Sequence, residues 1–499
     1  MRSLAERLPA EGPILALGER AWLEVAGQGR TERRALDDAW ESPPRMFTVD
    51  GQSSWRAIVV SDEDGPPTSS WPATLERIRR ALDPAGRLFV IARAGDRGVR
   101  RSATGVSDII GALYEAGFCV TREDALAFAT TGSPAPSPMG QDKASVVIEA
   151  RADDHVVRSY RDGDESAILR LFAQSFAPGR SLDHWNWRYR DNPFGTLAIS
   201  AAIAPGGELV AHYAAYPVPF RRSRAGRSET VLCHQVGDTM TDRHHRHVGR
   251  GPTSLLGRTA RHFYARRCDG KVAFNYGFNT GNIQRFSQLF VGARKVWDIE
   301  VWGAHAEGLR LARPRRFRPY RVTRVSGGGL DGNLGETFDR FFEQVAPHYG
   351  LLVERRQPYL VWRYLRCPDV DYRLFRVDRG GKLVGWGVTR VDGDRVVLGD
   401  ALFDPEHVEG FDALLRTIGV EAPARGGAAE AAAAGEKLPH IEGWFARHPA
   451  WWSDRLAGLG FVAAPQSQGL GMVFVPFLEC PEEELRSSYY LTMGDSDLF

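Results

Sequence analysis

The sequence predicts an α/β protein of three modules: one layered α/β unit, then two mixed-sheet α/β units that are copies of each other. Three observations carry this. A chain of 499 residues is too long for one core and fits about three domains. Residues up to 152 alternate apolar strand-like runs with helix-period segments, the pattern of an α/β layer. Finally, Trp187-Arg188-Tyr189-x-x-x-Pro193 recurs as Trp362-Arg363-Tyr364-x-x-x-Pro368, 175 positions later. Each copy is followed by a short apolar run and then by Gly206-Gly207-Glu208-Leu209-Val210-Ala211 or Gly380-Gly381-Lys382-Leu383-Val384-Gly385. Upstream of each lies a segment of helical period: Ile168, Leu169, Phe172 and Phe176 in one, Phe338, Phe341, Phe342 and Val345 in the other. Solenoid units run roughly 20–50 residues, so this longer period reads as a duplicated domain.

Composition narrows the classes. The chain is 43% hydrophobic and 25% charged with a formal charge of +2, which gives no global electrostatic case for nucleic acid or an anionic membrane. Its five cysteines (Cys119, Cys233, Cys268, Cys367, Cys480) are scattered, odd in number and without metal-ligand spacing. That argues for a reducing compartment and against a disulfide framework or a zinc site. No apolar run approaches the roughly 18 residues of a membrane span, and MRSLAERLPAEGP lacks the apolar stretch of a signal peptide. The expectation is a cytoplasmic protein with no metal, no nucleic-acid partner and no membrane span. The oligomeric state is left open.

In order along the first module, Trp55 to Ser61 reads as a strand, Trp71 to Leu82 as a helix, Asp83 to Gly86 as a turn and Arg87 to Ala92 as a strand. Val106 to Ala116 reads as a helix ending at Gly117, and Ala144 to Ala150 as a last strand after a Gly/Ser/Pro-rich loop, Thr131 to Gln141. The first copy runs from about Val156 to Trp302. The seven arginines of Arg310 to Arg324 admit a phosphate-binding patch, but Pro314, Pro319 and the alternation of Tyr320 to Val325 favour an extended connector becoming an edge strand. The second copy continues to about Pro476. Pro423 to Gly435 is a low-complexity loop, and the ending, Tyr490 to Asp497, looks polar and exposed.

The first copy carries a segment that the second lacks. Val231 to Met240 reads as a strand. The loop Thr241-Asp242-Arg243-His244-His245-Arg246-His247-Val248-Gly249-Arg250-Gly251 follows, and Pro252-Thr253-Ser254 then opens a helix with apolar face Leu255, Leu256, Thr259 and Phe263. Strand, Gly-rich loop and helix start aim unpaired N–H groups and the positive helix end at a phosphate. At the corresponding place the second copy has no Gly-x-Gly, and Asp400, Asp404, Glu406 and Glu409 would repel a diphosphate. The histidines His234, His244, His245 and His247 match no common zinc pattern and read as a solvated phosphate rim.

Arg246-x-x-Gly249-x-Gly251 matches the [RQ]-x-x-G-x-[GA] signature of the GCN5-related N-acetyltransferase (GNAT) superfamily. GELVAHYAAYPVPFR, QVGDTMTD, FNYGFNTGNIQRFSQLFVGARKV, the two Trp-Arg-Tyr turns and the Gly-Asp-Ser-Asp tail resemble successive parts of tandem-GNAT proteins. The resemblance implies acetyl-CoA, or another acyl-CoA, as cosubstrate. By it, Thr239, Met240 and Thr241 offer main-chain contacts to pantetheine. Arg246, His247, Val248, Gly249, Arg250 and Gly251, with Thr253, hold the pyrophosphate, and Asn279 and Asn282 lie near the thioester. The run LERIRRALDPAGRLFVIAR resembles the later half of a class I methyltransferase domain, but no G-x-G-x-G follows a first strand. The segment Ile14 to Arg20 has one Gly and then a bulky charged pair. The fold implied is an N-terminal Rossmann-like, degenerate methyltransferase-like α/β module (1–152), a CoA-binding mixed-sheet GNAT module (153–308) and a degenerate GNAT module with the C-terminal tail (309–499).

Acyl transfer to an amine needs a proton acceptor and a hold on the carbonyl oxygen. Asp238, ending its strand, is the candidate base, and its plainer role is to cap the loop or pair with Arg243. Many relatives place a Tyr acid seven residues after the Asn equivalent to Asn279; here that residue is Phe286, which has no proton to give. Tyr276 is the candidate replacement, with a core position as the plainer role. The Trp-Arg-Tyr turns read as aromatic anchors with an internally paired Arg. The leading reading is an N-acyltransferase acting on a primary amine of a small molecule or sugar precursor. Aminoacyl or long-chain acyl transfer, and a catalytically silent CoA- or ligand-binding scaffold, are the alternatives.

Overall fold

The structure, a computed structural model, describes residues 8, 14–17, 31–34, 48–49, 52–53, 55–61, 71–93, 105–126, 145–176, 179–224, 226–313, 319–325, 330–419, 439–478 and 482–499. The loops predicted at 131–141 and 423–435 and residues 18–20 of the Ile14 to Arg20 segment lie outside the described residues, as do 314–318 of the basic connector. The chain forms two compact units. One gathers Met1–Pro178, Ile199–Ala214 and Asp238–Asp269; the other gathers Gly179–Ala198, Ala215–Gly237 and Gly270–Phe499.

The first unit opens with β1 (Ile14–Leu17), β2 (Thr31–Arg34), a ribbon of β3 (Thr48–Val49) and β4 (Gln52–Ser53), and β5 (Trp55–Ser61). Helix α1 (Trp71–Ala81), β6 (Leu82–Arg93), α2 (Val106–Glu115), β7 (Phe118–Leu126) and β8 (Ser145–Ala152) follow. The sheet order is β2-β1-β5-β6-β8-β7. Its first four strands run parallel, and β8 lies antiparallel to both its neighbours, β6 and β7. The predicted turn Asp83–Gly86 lies inside β6 as an excursion: the register jumps from Leu82 to Arg87, and the Asp83 carboxylate accepts the Ala85 N–H. Gly117, at φ 75°, ends α2 as expected. Leu75, Ile78, Leu88, Val90, Ile109 and Leu113 fill the core between helices and sheet.

Next come β9 (Val156–Ser159) and α3 (Glu165–Ser175). Ile168 and Leu171 are the buried residues of α3. Phe176, read above as part of its apolar face, falls past the helix end in extended backbone and is 44% exposed. Helix α4 (Leu182–Tyr189) belongs to the second unit and ends on the first Trp-Arg-Tyr turn. β10 (Ile199–Ile203) pairs antiparallel with β9 and with β11 (Leu209–Arg224) across the Gly206-Gly207 turn. β12 (Arg227–Thr241) leads through the loop to α5 (Leu255–Phe263).

The second unit continues with β13 (Phe274–Asn279), α6 (Gly281–Phe290), β14 (Arg294–Asp298), β15 (Glu300–His305) and β16 (Tyr320–Val325). It then forms α7 (Asn333–Val345), β17 (Leu351–Val353), α8 (Gln357–Leu360), β18 (Arg373–Arg379), β19 (Lys382–Asp392), β20 (Arg395–Phe403) and α9 (Gly410–Ile418). β21 (His440–Trp444), α10 (Ala450–Leu459), β22 (Val462–Pro465), β23 (Gly471–Pro476) and α11 (Glu482–Ser488) complete it. As predicted, Tyr320–Val325 is an edge strand, and Phe338, Phe341, Phe342 and Val345 form the buried face of α7.

Two sheets meet in this unit, and they exchange strands. One has the order β14-β23-β13-β12-β11, with β17 also on β11; the other is β16-β18-β19-β20-β21-β15-β22. Thus β23, late in the chain, lies antiparallel between β13 and β14, while β15 lies antiparallel between β21 and β22. The exchange runs both ways: β23 is inserted between strands that precede residue 300, and β15 between strands that follow residue 439.

The C-terminal tail corrects an expectation. Residues Tyr490 to Asp497 look polar in the sequence, yet Tyr490, Leu491, Thr492, Gly494, Asp495 and Ser496 are buried. The buried Arg363 side chain donates to the carbonyls of Gly494, Ser496 and Phe499, and Arg355 pairs with Asp400 and Asp495 at zero exposure. Buried backbone oxygens and carboxylates need such partners. Their donors come from distant segments, which local polarity does not reveal.

Candidate functional site

The loop is built from the residues upward in the first unit. At the end of β12, Asp242 accepts the His244 N–H on its side chain and starts a short 3₁₀ turn, Arg243–His245. Gly249 (φ 69°) and Gly251 (φ 53°) take the left-handed backbone that other residues avoid. A side chain on Gly249 would overlap the Thr253 carbonyl. The helix starts later than the sequence suggests. Pro252 sits in a second 3₁₀ turn, Gly251–Thr253, and α5 begins at Leu255 with Ser254 as N-cap, its hydroxyl accepting from the Gly257 N–H at 3.1 Å. The reason is local: Thr253 closes its own turn, its hydroxyl donating to the Arg250 carbonyl and accepting from the Arg250 N–H.

The N–H groups divide into two sets. Those of Val248, Arg250, Thr253, Ser254 and Leu255 are used inside the loop. For those of His247, Gly249 and Gly251, no acceptor lies within hydrogen-bond reach among the described residues. Arg243, Arg246 and Arg250 are exposed around them. The arrangement suits a diphosphate: free donors on a glycine backbone that comes close, with cations at the rim. Arg246 is steadied by donating to the Thr241 carbonyl at 3.3 Å.

Helix α5 is buried on its polar side as well as its apolar one. Arg258 pairs with Asp153 at 2.9 Å, and His262 lies between Ser200 Oγ at 2.8 Å and Glu115 at 3.0 Å. Burial holds the His262 imidazole below its ordinary value. Burial works to raise the Glu115 carboxyl, but bonds from His262 and Arg266 outweigh it and hold it low. The sequence reading named only the apolar face of this helix. Helix α2 packs on α5 in this unit, and nothing in the local period announces that.

The other predicted residues fall as follows. Met240 is buried, and Thr239 and Thr241 are half-buried on β12. Asp238 is nearly buried with φ 52°, and its carbonyl lies 2.7 Å from Nδ1 of the buried His212. A non-glycine residue there is strained, and such strain concentrates at functional positions. His212 is a neighbour the sequence reading missed.

In the second unit, Tyr276 is fully buried and its hydroxyl donates to the Asp495 carbonyl at 3.1 Å. Burial pushes its phenol far above the ordinary value. Asn279 ends β13 half-buried, donating to Ser287 Oγ at 3.3 Å, and Asn282 is exposed on α6. Phe286 packs against Phe290. In the second copy, Asp400 does not face solvent as a repelling charge; it sits in the Arg355 network and accepts from Tyr364. Asp404 caps the Pro405–His407 turn, leaving Glu406 as the exposed acid there. Among the described residues, no group of three or more His, Cys, Asp or Glu is arranged to hold a metal ion, and no helix is long and apolar enough to cross a membrane.

Neither a protein-family model nor a curated protein matches this sequence. Solved structures do resemble the fold. One is a protein of Enterococcus faecalis described as a probable N-acyltransferase (14% identity, 65% of this chain and 72% of that one, TM-score 0.47). Another is a GCN5-related N-acetyltransferase of Kribbella flavida (13%, 64% and 70%, TM-score 0.45). A third is the N-myristoyltransferase of Saccharomyces cerevisiae with bound myristoyl-CoA (9%, 72% and 84%, TM-score 0.40). Likeness at this level assigns no substrate and no residue.

Proposed function

We propose that the chain is a GNAT-type, acyl-CoA-dependent N-acyltransferase of tandem build, with acetyl-CoA or a related thioester as donor and the primary amine of a small molecule as acceptor. The observation that carries this is the cradle in the first unit, where the N–H groups of His247, Gly249 and Gly251 stand without an acceptor among exposed arginines. The pyrophosphate would accept from these donors, and Thr239 to Thr241 would meet pantetheine along the strand. Pro252 has no N–H to offer, so the grip relies on the glycines and the cations.

The thioester supplies an activated carbonyl; the chain's residues do the rest. Asp238 takes the acceptor's proton, directly or through water, from a position whose backbone is held at φ 52°. Asn279 is the amide available to orient the thioester. Tyr276 is the phenol available to protonate the thiolate, provided its bond to the Asp495 carbonyl opens; otherwise water serves.

Titration with acetyl-CoA tests the reading. Saturable binding that disappears in Gly249→Glu and Gly251→Glu supports it, and binding untouched by both changes would sink it. Phe286 favours one rival, a binding protein without catalysis, since no phenol stands at that position. Release of free thiol against a panel of amines separates the two.

A further inference from the structure

The second unit contains a concavity of about 580 Å³, within the range of small-molecule sites. The buried part of its lining is aliphatic and aromatic: Ile299, Phe445, Tyr489 and Leu491. The rings of Trp297 and Tyr489, both in the lining, stand 6.3 Å apart at 41°. Aromatic groups so placed suit a flat ring, met edge-on or offset. The charges at the rim are already matched. Arg447 binds both oxygens of Glu300, and Arg486 is taken up by Glu482 and the carbonyls of Lys295 and Val296. A charged ligand would have to break one of these pairs or go uncompensated, whereas an uncharged one enters without that cost.

The uncharged polar groups of the lining accept rather than donate. The Tyr489 hydroxyl is given to the Asp495 carboxylate at 3.2 Å, and the Ser487 hydroxyl to the Glu483 carbonyl at 2.7 Å. His448 Nε2 lies 3.1 Å from the Tyr349 carbonyl; a carbonyl only accepts, so Nε2 carries the ring proton. Burial holds this imidazole below its ordinary value, which keeps it neutral and makes Nδ1 an acceptor. Among the described residues, no donor lies within hydrogen-bond reach of Nδ1.

The same residues hold the C-terminal tail. Ala446 donates its N–H to the Leu491 carbonyl at 3.0 Å, Phe445 pairs with Thr492 in an antiparallel bridge, and Tyr489 reaches Asp495. Peeling residues 489–496 away would dismantle the concavity, so a molecule seated there opposes that opening by mass action.

We propose that this concavity is a second ligand site, separate from acyl transfer, for an uncharged aromatic molecule with one N–H or O–H donor, of the indole or phenol class, and that its occupancy clamps the C-terminal tail. The ring meets Trp297 and the donor meets His448. No thioester takes part, so the site stands or falls apart from the transferase reading.

The test uses the full chain, indole as probe, calorimetric titration and backbone hydrogen exchange. Ala450 lines the concavity, is exposed and opens α10, so Ala450→Trp fills the space without disturbing the core. The parent and Ala450→Ser are expected to bind indole. Binding should be at least about tenfold weaker for Ala450→Trp, and likewise for 1-methylindole, indole-3-acetate and tryptamine on the parent, since the first lacks the donor and the others carry charge. Saturating indole should slow exchange across residues 489–496 in the parent. No indole binding by the parent, equal binding by Ala450→Trp or of 1-methylindole, or an unchanged tail would each overturn the assignment. Should Ala450→Trp melt early, the exchange footprint of indole on the parent decides: protection within 297–300, 445–450 and 486–496 upholds the site, and protection elsewhere overturns it.

Discussion

Trp187 and Trp362 each donate an indole N–H to the other's backbone carbonyl, at 2.6 and 2.8 Å, with their rings stacked 5.5 Å apart. The pair links the two Trp-Arg-Tyr turns reciprocally, as the exchange of β15 and β23 links the two sheets of the second unit. Trp187→Phe keeps the ring but orphans the buried Trp362 carbonyl, at a cost of about 1–3 kcal/mol. Trp362→Phe is expected to cost a similar amount. Because the two bonds share one packed site, the double variant should lose less than the sum of the singles in a denaturant double-mutant cycle. Strict additivity would show that the bonds are independent.

The exposed cations of the loop make a different prediction. Arg246 and Arg250 are solvated, so removing either costs little stability. Against a diphosphate each contributes through charge. Arg246→Ala is expected to weaken acetyl-CoA binding about three- to tenfold and to flatten its dependence on salt, with Tm unchanged. Titrations at low and high ionic strength check this, and an unchanged salt dependence would place the anion elsewhere.

One guanidinium serves two buried carboxylates where Arg355 meets Asp400 and Asp495. Burial raises the Asp495 carboxyl to about 6, with the Arg355 guanidinium working the other way and the nearby Asp400 charge adding to the rise. A carboxyl raised on folding stabilises the native state below its unfolded value, near 4, and that contribution is lost as pH climbs through about 6. Stability should therefore fall between pH 4 and 7 from this group. Asp495→Asn, which mimics the protonated form, should remove that step. A variant whose pH–stability curve overlays the parent's would show that Asp495 is ionised throughout, paired with Arg355.

How much of this was legible in the sequence follows from how local each signal is. The Trp-Arg-Tyr repeat, the two glycine hairpins and the face of α7 depend on neighbours in the chain, and all stand where the pattern puts them. The late start of α5 did not show, because Pro252 fits the first turn of an α-helix and of a 3₁₀ turn equally well. The polar burial of Arg258 and His262 depends on Asp153, Ser200 and Glu115, residues more than 60 positions away. The strand exchange is invisible to periodicity, since β15 and β23 read alike in either sheet. The tail was misjudged for the same reason: its partners, Arg355 and Arg363, lie more than 130 residues upstream.

Asp238 offers the sharpest separation of stability from function. Its φ of 52° strains any residue with a β-carbon, least so Asn and most favourably relieved by Gly. Were Asp238 there for the fold alone, Asp238→Asn and Asp238→Gly would cost nothing in activity. As the proton acceptor, its loss should lower kcat about 10²-fold or more in both variants. The Kd for acetyl-CoA should hold, because the pyrophosphate donors are untouched. Stability should stay within about 1 kcal/mol of the parent, since Asn tolerates the left-handed region and Gly is at ease in it. Thiol release measured against pH completes the test: the parent's acid-side loss of activity should be absent from the residual rate of Asp238→Asn. Variants that turn over at the parental rate would strip Asp238 of the role and leave its backbone strain to be explained by the turn into the loop.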